Sequence, residues 1–184
     1  MEMLAMDGSS KRKRIKPCRG DLFEFAAGDG RYGYGLIVIP GDVFYAIFFR
    51  SLHALRPEAA SLAADEIALV GATTDSHFYN GQWTIIARNQ PLPAKVPFPN
   101  WKVHMGGEMR TVYFEITNSW PMRTDEIDLL DFQFSRSPVG YEEALEAING
   151  LREWDDSFNK LTVAYAMRRE TRPRTLLPTS VRGK

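Results

Sequence analysis

Three histidines, one cysteine and several adjacent carboxylate pairs are the residues whose types could do chemistry in this 184-residue chain. His53, His77 and His104 are the candidates for metal ligation or for proton transfer near neutral pH. They lie far apart, and none has a second His or Cys at a ligand spacing, so the sequence offers no metal site and calls for no cofactor. The single cysteine, Cys18, stands between Pro17 and Arg19, on no tight turn and beside no base that would activate it, and it cannot form an internal disulfide. Paired carboxylates can serve acid-base catalysis, but Asp65-Glu66, Asp125-Glu126, Glu142-Glu143 and Asp155-Asp156 are too many for any one pair to stand out. Gly28-Asp29-Gly30 and Gly33-Tyr34-Gly35 are not followed by a helix opening on Lys-Ser or Lys-Thr, so they suit turns and close packing better than a phosphate cradle. A hydrolase would need all three histidines to converge in space.

One acidic run has a different character. Asp125, Glu126, Asp128 and Asp131 lie between Trp120 and Phe132, joining carboxylates to aromatic anchors as protein-binding patches do. Trp120, Asp125, Glu126, Asp128 and Asp131 are therefore the candidate contacts for a protein partner. The formal net charge of zero conceals an uneven distribution. Residues 11–19 and 168–184 hold six Lys or Arg each, whereas residues 20–167 hold eleven against twenty Asp or Glu, a net of −9. Such a body attracts cationic partners and disfavours a nucleic-acid surface on the fold. A β-barrel adaptor or nucleic-acid module would have to use the basic ends instead.

Those residues must be held by a folded scaffold. With 44% hydrophobic and 25% charged residues the composition is that of an ordinary globular protein. No apolar run approaches the roughly 18 residues needed to span a bilayer, and no secretion signal follows the basic cluster at 11–16, which places the chain in the cytoplasm with no membrane partner. Residues 1–16 read as a flexible basic leader, 17–167 as one domain, and 168–184 as a basic tail.

Within the domain, Leu22, Phe23 and Phe25, a Gly-Asp-Gly turn and the aromatic run at 31–39 make a hairpin, and a Pro-Gly-Asp turn leads to a third strand at 43–50. Residues 57–65 could form a helical turn and 66–70 a short strand, 73–81 reads as a polar loop, and 82–87 is a strand around Trp83. Prolines 91, 93, 97 and 99 make residues 90–100 a stiff connection. A second hairpin spans 101–116, the segment 125–131 could be turn or strand, and 141–154 is an amphipathic helix that Gly150 could end early. The expected fold is mainly β: a curved antiparallel sheet, or an SH3-like partial barrel, with one or two C-terminal helices.

An ordered set of motifs runs through residues 16–100: Lys16-Pro17, Gly20-Asp21-Leu22-Phe23, residues 28–35 with the following strand, Phe44 to Phe49, Gly81-Gln82-Trp83-Thr84-Ile85-Ile86, and Pro91-Leu92-Pro93. This set resembles the immunity protein 26 family, and residues 144–161 are weakly similar to its C-terminal helical part. The resemblance implies a mainly β domain, with a recognised β core at 17–100 and a hairpin and helix at 101–167. It also implies a role in bacterial polymorphic toxin systems, in which an immunity protein binds and neutralises a cognate toxin without cofactor or catalytic residues. A basic toxin such as a nuclease would suit the acidic body. The motif residues Gly20, Asp21, Gly30, Tyr34, Gly35 and Trp83 have a sufficient physical role as strand, turn and packing positions. The basic leader, the acidic segment around Asp128 and the Arg-rich tail depart from the shorter family members.

Overall fold

The structure, a computed structural model, describes residues 15–113, 115–122, 124 and 127–169. It is mainly β, as expected, with its strands divided between two antiparallel sheets. The first is built from β1 (Leu22–Ala26), β2 (Tyr32–Ile39), β3 (Val43–Phe49), β4 (Ile67–Thr74) and β5 (Trp83–Ala87), in the order β4-β3-β2-β1-β5. The β1–β2 hairpin turns through Gly30, whose φ of 82° lies in the left-handed region that glycine enters without cost.

Both faces of this sheet are covered, which explains why β3 is an unbroken apolar run. Phe44, Ala46 and Phe48 point to one face and Tyr45, Ile47 and Phe49 to the other. The first face packs against α3 (Pro138–Ile148) through Tyr141, Ala144 and Leu145, and against Phe158 and Leu161 of a 3₁₀ helix (Asp156–Leu161). It also receives Phe78 of α2 (Ser76–Asn80). The second face is covered by Leu62 of α1 (Ala59–Leu62), by Ala166 of α4 (Val163–Arg169), and by Leu92, Val96 and Phe98 of the proline-rich connection. That connection is fixed by the Tyr45 hydroxyl, which donates to the Pro97 carbonyl at 2.8 Å.

The second sheet has the order β6-β7-β8, with β6 Asn100–Met105, β7 Glu108–Tyr113 and β8 Glu115–Pro121. Residues 131–133 run beside β6, where the Lys102 N–H donates to the Asp131 carbonyl and the Gln133 N–H to the Lys102 carbonyl. Trp101 and Val112 pack on Tyr165 of α4, joining this sheet to the C-terminal helices.

Three segments differ from the sequence expectation. The polar loop at 73–81 instead continues β4 to Thr74 and then forms α2, because Thr73 pairs with Phe44 and is fully buried there. The second hairpin arm ends at Tyr113, which pairs with Glu115, and β8 follows as a third strand. The helix expected over 141–154 runs from Pro138 to Ile148, since proline suits a first helical turn and Gly150, at φ 76°, leads the chain out of it. Among the described residues no helix is long and apolar enough to cross a membrane.

Candidate interaction site

The motif residues of the β core are built into its framework. Asp21 is buried at the start of β1, where its carboxylate accepts from the Cys18 N–H at 2.9 Å and lies 3.2 Å from the Arg88 guanidinium. Gly20 donates to the Ile37 carbonyl and accepts from the Gln90 N–H. Its φ is 77°, and a Cβ would stand 2.8 Å from the Gln90 carbonyl oxygen, so this close approach of two strand ends requires glycine. Gly35 lies beneath the ring of its cross-strand partner Phe23, and Tyr34 is buried on the opposite face against His53. Trp83 is stacked on Phe23 with centroids 4.6 Å apart.

The histidines do not converge. His53 forms a bridge with Tyr32 and packs on Tyr34, His77 of α2 packs on Trp83 beneath the other face, and His104 is exposed on β6. Among the described residues no group of three or more His, Cys, Asp or Glu is placed to hold a metal ion.

His77 and Glu142 nevertheless form a polar contact at the core's edge. The Trp83 indole N–H donates to Glu142 Oε1 at 2.6 Å, and His77 Nε2 lies 3.4 Å from the same oxygen without hydrogen-bond geometry. Burial pushes the Glu142 carboxyl up from its usual 4.5, with Glu146 and Glu143 adding to the effect, and burial pushes the His77 imidazole down from 6.5. Each group therefore favours its neutral form in the folded state. The Glu142 contribution to stability is complete below pH 4.5 and is lost as pH rises through its raised folded value. The His77 contribution is complete above pH 6.5 and is lost as pH falls through its depressed folded value. Glu142→Gln should flatten the loss of thermal stability on the side rising from pH 4.5, as melting curves between pH 4 and 8 would show. Parallel pH profiles for variant and parent would refute this assignment.

The candidate contact residues fall into different surroundings. Asp125 and Glu126 lie outside the described residues. Trp120 is half-buried on β8. The Asp131 carboxylate accepts from the Tyr165 hydroxyl and lies 3.6 Å from Lys160 Nζ, so it ties the 131–133 segment to the C-terminal helices. Asp128 is exposed in a turn together with Ile127, Leu129 and the nearby Phe132. Lys102 steadies this turn, donating from Nζ to the Ile127 carbonyl at 2.7 Å and lying 5.0 Å from the Phe132 ring centroid.

A second surface of the same chemistry lies between α3 and the 3₁₀ helix. Residues 151–157 are all exposed and include Leu151, Glu153, Trp154, Asp155 and Asp156. Trp154 sits at helical spacing after Leu151, and pattern alone assigns it to the buried stripe of α3. The left-handed Gly150 breaks that phase and turns Trp154 outward.

A family model for immunity protein 26 matches residues 18–112, from the loop before β1 into β7 and over half of the chain. No curated protein and no solved structure matches the chain. The match takes in Gly20, Asp21, Gly30, Tyr34, Gly35 and Trp83, the residues that fasten the five-stranded sheet, and on it the chain belongs to the immunity protein 26 family.

Proposed function

We propose that this chain neutralises a cognate protein toxin by binding it stoichiometrically, in the cytoplasm of a bacterium that carries a polymorphic toxin system. The observation that carries this reading is the family match over residues 18–112, since membership implies an immunity function with a toxin as partner. The acidic body favours a basic toxin, such as a nuclease, whose substrate surface the complex would cover. Contact through Trp120, Asp125, Glu126, Asp128 and Asp131 remains the proposal for that surface, and Asp128, exposed among apolar side chains, is its cleanest test position.

Co-expression with the product of the adjacent reading frame tests the function. Cells making both proteins should grow, and cells making the adjacent product alone should not. Equal growth arrest with and without this chain would overturn the reading. Asp128→Lys should weaken the purified complex roughly 5-fold at low salt, with a smaller effect at high salt, and leave the melting temperature unchanged. Affinity equal to the parent at both salt concentrations would remove Asp128 from the interface.

A further inference from the structure

We infer that the surface around the 3₁₀ helix Asp156–Leu161, with Trp154 as its anchor, is the docking face for a cationic surface of the partner; this rests on the toxin-binding reading above. Leu151 and Trp154 are large apolar side chains exposed immediately before this helix. Exposed apolar side chains set among carboxylates have the composition of a protein–protein contact.

The anchor is held in place before any partner arrives. Trp154 is 40% exposed, yet its ring meets Phe158 edge-on at 5.5 Å and its indole N–H donates to Asn159 Oδ1 at 3.1 Å. Asp155 caps the helix, accepting from the Ser157 N–H at 2.7 Å, and hydrogen bonds from Ser157 hold its carboxyl below the usual range. A half-exposed, immobilised tryptophan has little side-chain entropy left to lose on binding, which is the condition under which such residues dominate interface energetics.

Charge selects the occupant. Glu153, Asp155 and Asp156 are exposed beside the anchor. Three neighbouring cations are engaged within the molecule: Arg152 is 2.7 Å from Glu143 and 3.3 Å from Glu146, Lys160 faces Asp131, and Arg136 donates to the Ser157 hydroxyl at 3.0 Å. Nucleic acid and anionic lipid would be repelled by such a rim, and a second copy docking through the same face would set carboxylates against carboxylates. A basic protein face satisfies both the apolar centre and the acidic rim. The surface also lies outside residues 18–112, so it can differ between proteins that share the matched scaffold.

The test uses the full chain and the purified product of the adjacent reading frame, titrated calorimetrically at two salt concentrations. Trp154→Ala should weaken binding ~10-fold or more. Glu153→Lys should weaken it and reduce its salt dependence, and Leu55→Ala, at an exposed position in the segment between β3 and β4, should change nothing. Circular dichroism melts establish that each variant folds; if Trp154→Ala does not, Glu153→Lys alone decides. Unchanged affinity in the folded variants, with the parent chain still neutralising, would place the docking face elsewhere and leave the immunity function standing. Failure of the parent chain to bind or protect would instead overturn the immunity reading and this inference with it. A parent dimer in sedimentation that Trp154→Ala dissociates would show that the face is taken by a second copy, and would overturn the inference.

Discussion

Trp83→Ala is expected to lower the free energy of unfolding by about 4 kcal/mol, the range for removing a large aromatic side chain from a well-packed core. The indole is buried at the centre of the first face of the sheet. Phe23 stacks on it at 4.6 Å, Phe78, Phe48 and Phe44 approach at 5.4, 5.7 and 6.4 Å, and α3 reaches it through the hydrogen bond to Glu142. Alanine would leave a void bounded by rings from β1, β3 and α2, elements that are themselves paired or hydrogen-bonded and can collapse only partly into it. Native domains hold roughly 5–15 kcal/mol in all, so the variant should be marginal at ordinary temperature. Denaturant titration monitored by far-ultraviolet circular dichroism measures the change. Trp83→Phe keeps most of the packing and deletes the indole donor, and should cost about 1–2 kcal/mol. A loss below about 1 kcal/mol for the alanine variant would show that the aromatic cluster does not organise the sheet.

Gly35→Ala should destabilise by about 3 kcal/mol, the upper part of the range for overpacking a dense interior. In the β1–β2 register Phe23 faces Gly35 and Phe25 faces Gly33, so each aromatic ring lies across the strand on the surface that a glycine leaves open. A Cβ on Gly35 would overlap the Phe23 ring, with the Cε1 atom 2.8 Å away, and Phe23 cannot swing aside because Trp83, Phe48 and Phe78 enclose it. Gly33 is equally closed, by Phe25 and by Leu145 at 2.9 Å. Gly30→Ala provides the contrast: its Cβ would meet open space, leaving only the left-handed backbone, for about 1 kcal/mol. A double-mutant cycle with Phe23→Leu separates the steric part, since a smaller partner should recover much of the Gly35→Ala loss. Additive effects in that cycle would refute the ring-over-glycine account.

The sheet's first three strands are legible in the sequence because aromatic and β-branched residues crowd between turn residues at 28–30 and 40–42. The framework role of Gly30, Gly35 and Trp83 is legible for the same reason. β8 is not, since Glu115–Pro121 is polar and becomes a strand only by pairing Trp120 with Thr111 and Ser119 with Val112. Nor is the cover on the second face, where α1 is a single turn of four residues and much of the apolar surface comes from an irregular proline-rich segment. At the candidate interface, Asp131 is indistinguishable from Asp128 until the fold brings Tyr165 to it across 34 positions of sequence. Trp154 is misleading in the other direction. Its spacing matches the buried stripe of α3, and one left-handed glycine places it on the surface.

The first face of the sheet is closed largely by residues 138–161, far downstream of the strands it protects. During synthesis, at roughly 5–20 residues per second, the ribosome needs about 4–15 seconds to pass from β5 to the end of the 3₁₀ helix. Through that interval Phe23, Phe44, Phe48 and Trp83 lack the cover of α3 and the 3₁₀ helix, with Phe78 of α2 the one helical side chain already against them among the described residues. A polypeptide released early, at residue 112 for instance, would expose this aromatic face and should associate nonspecifically rather than fold. Closure of the sheet therefore waits on residues 138–161, and the delay between making the strands and making their cover sets the period in which the aromatic face is open to other chains.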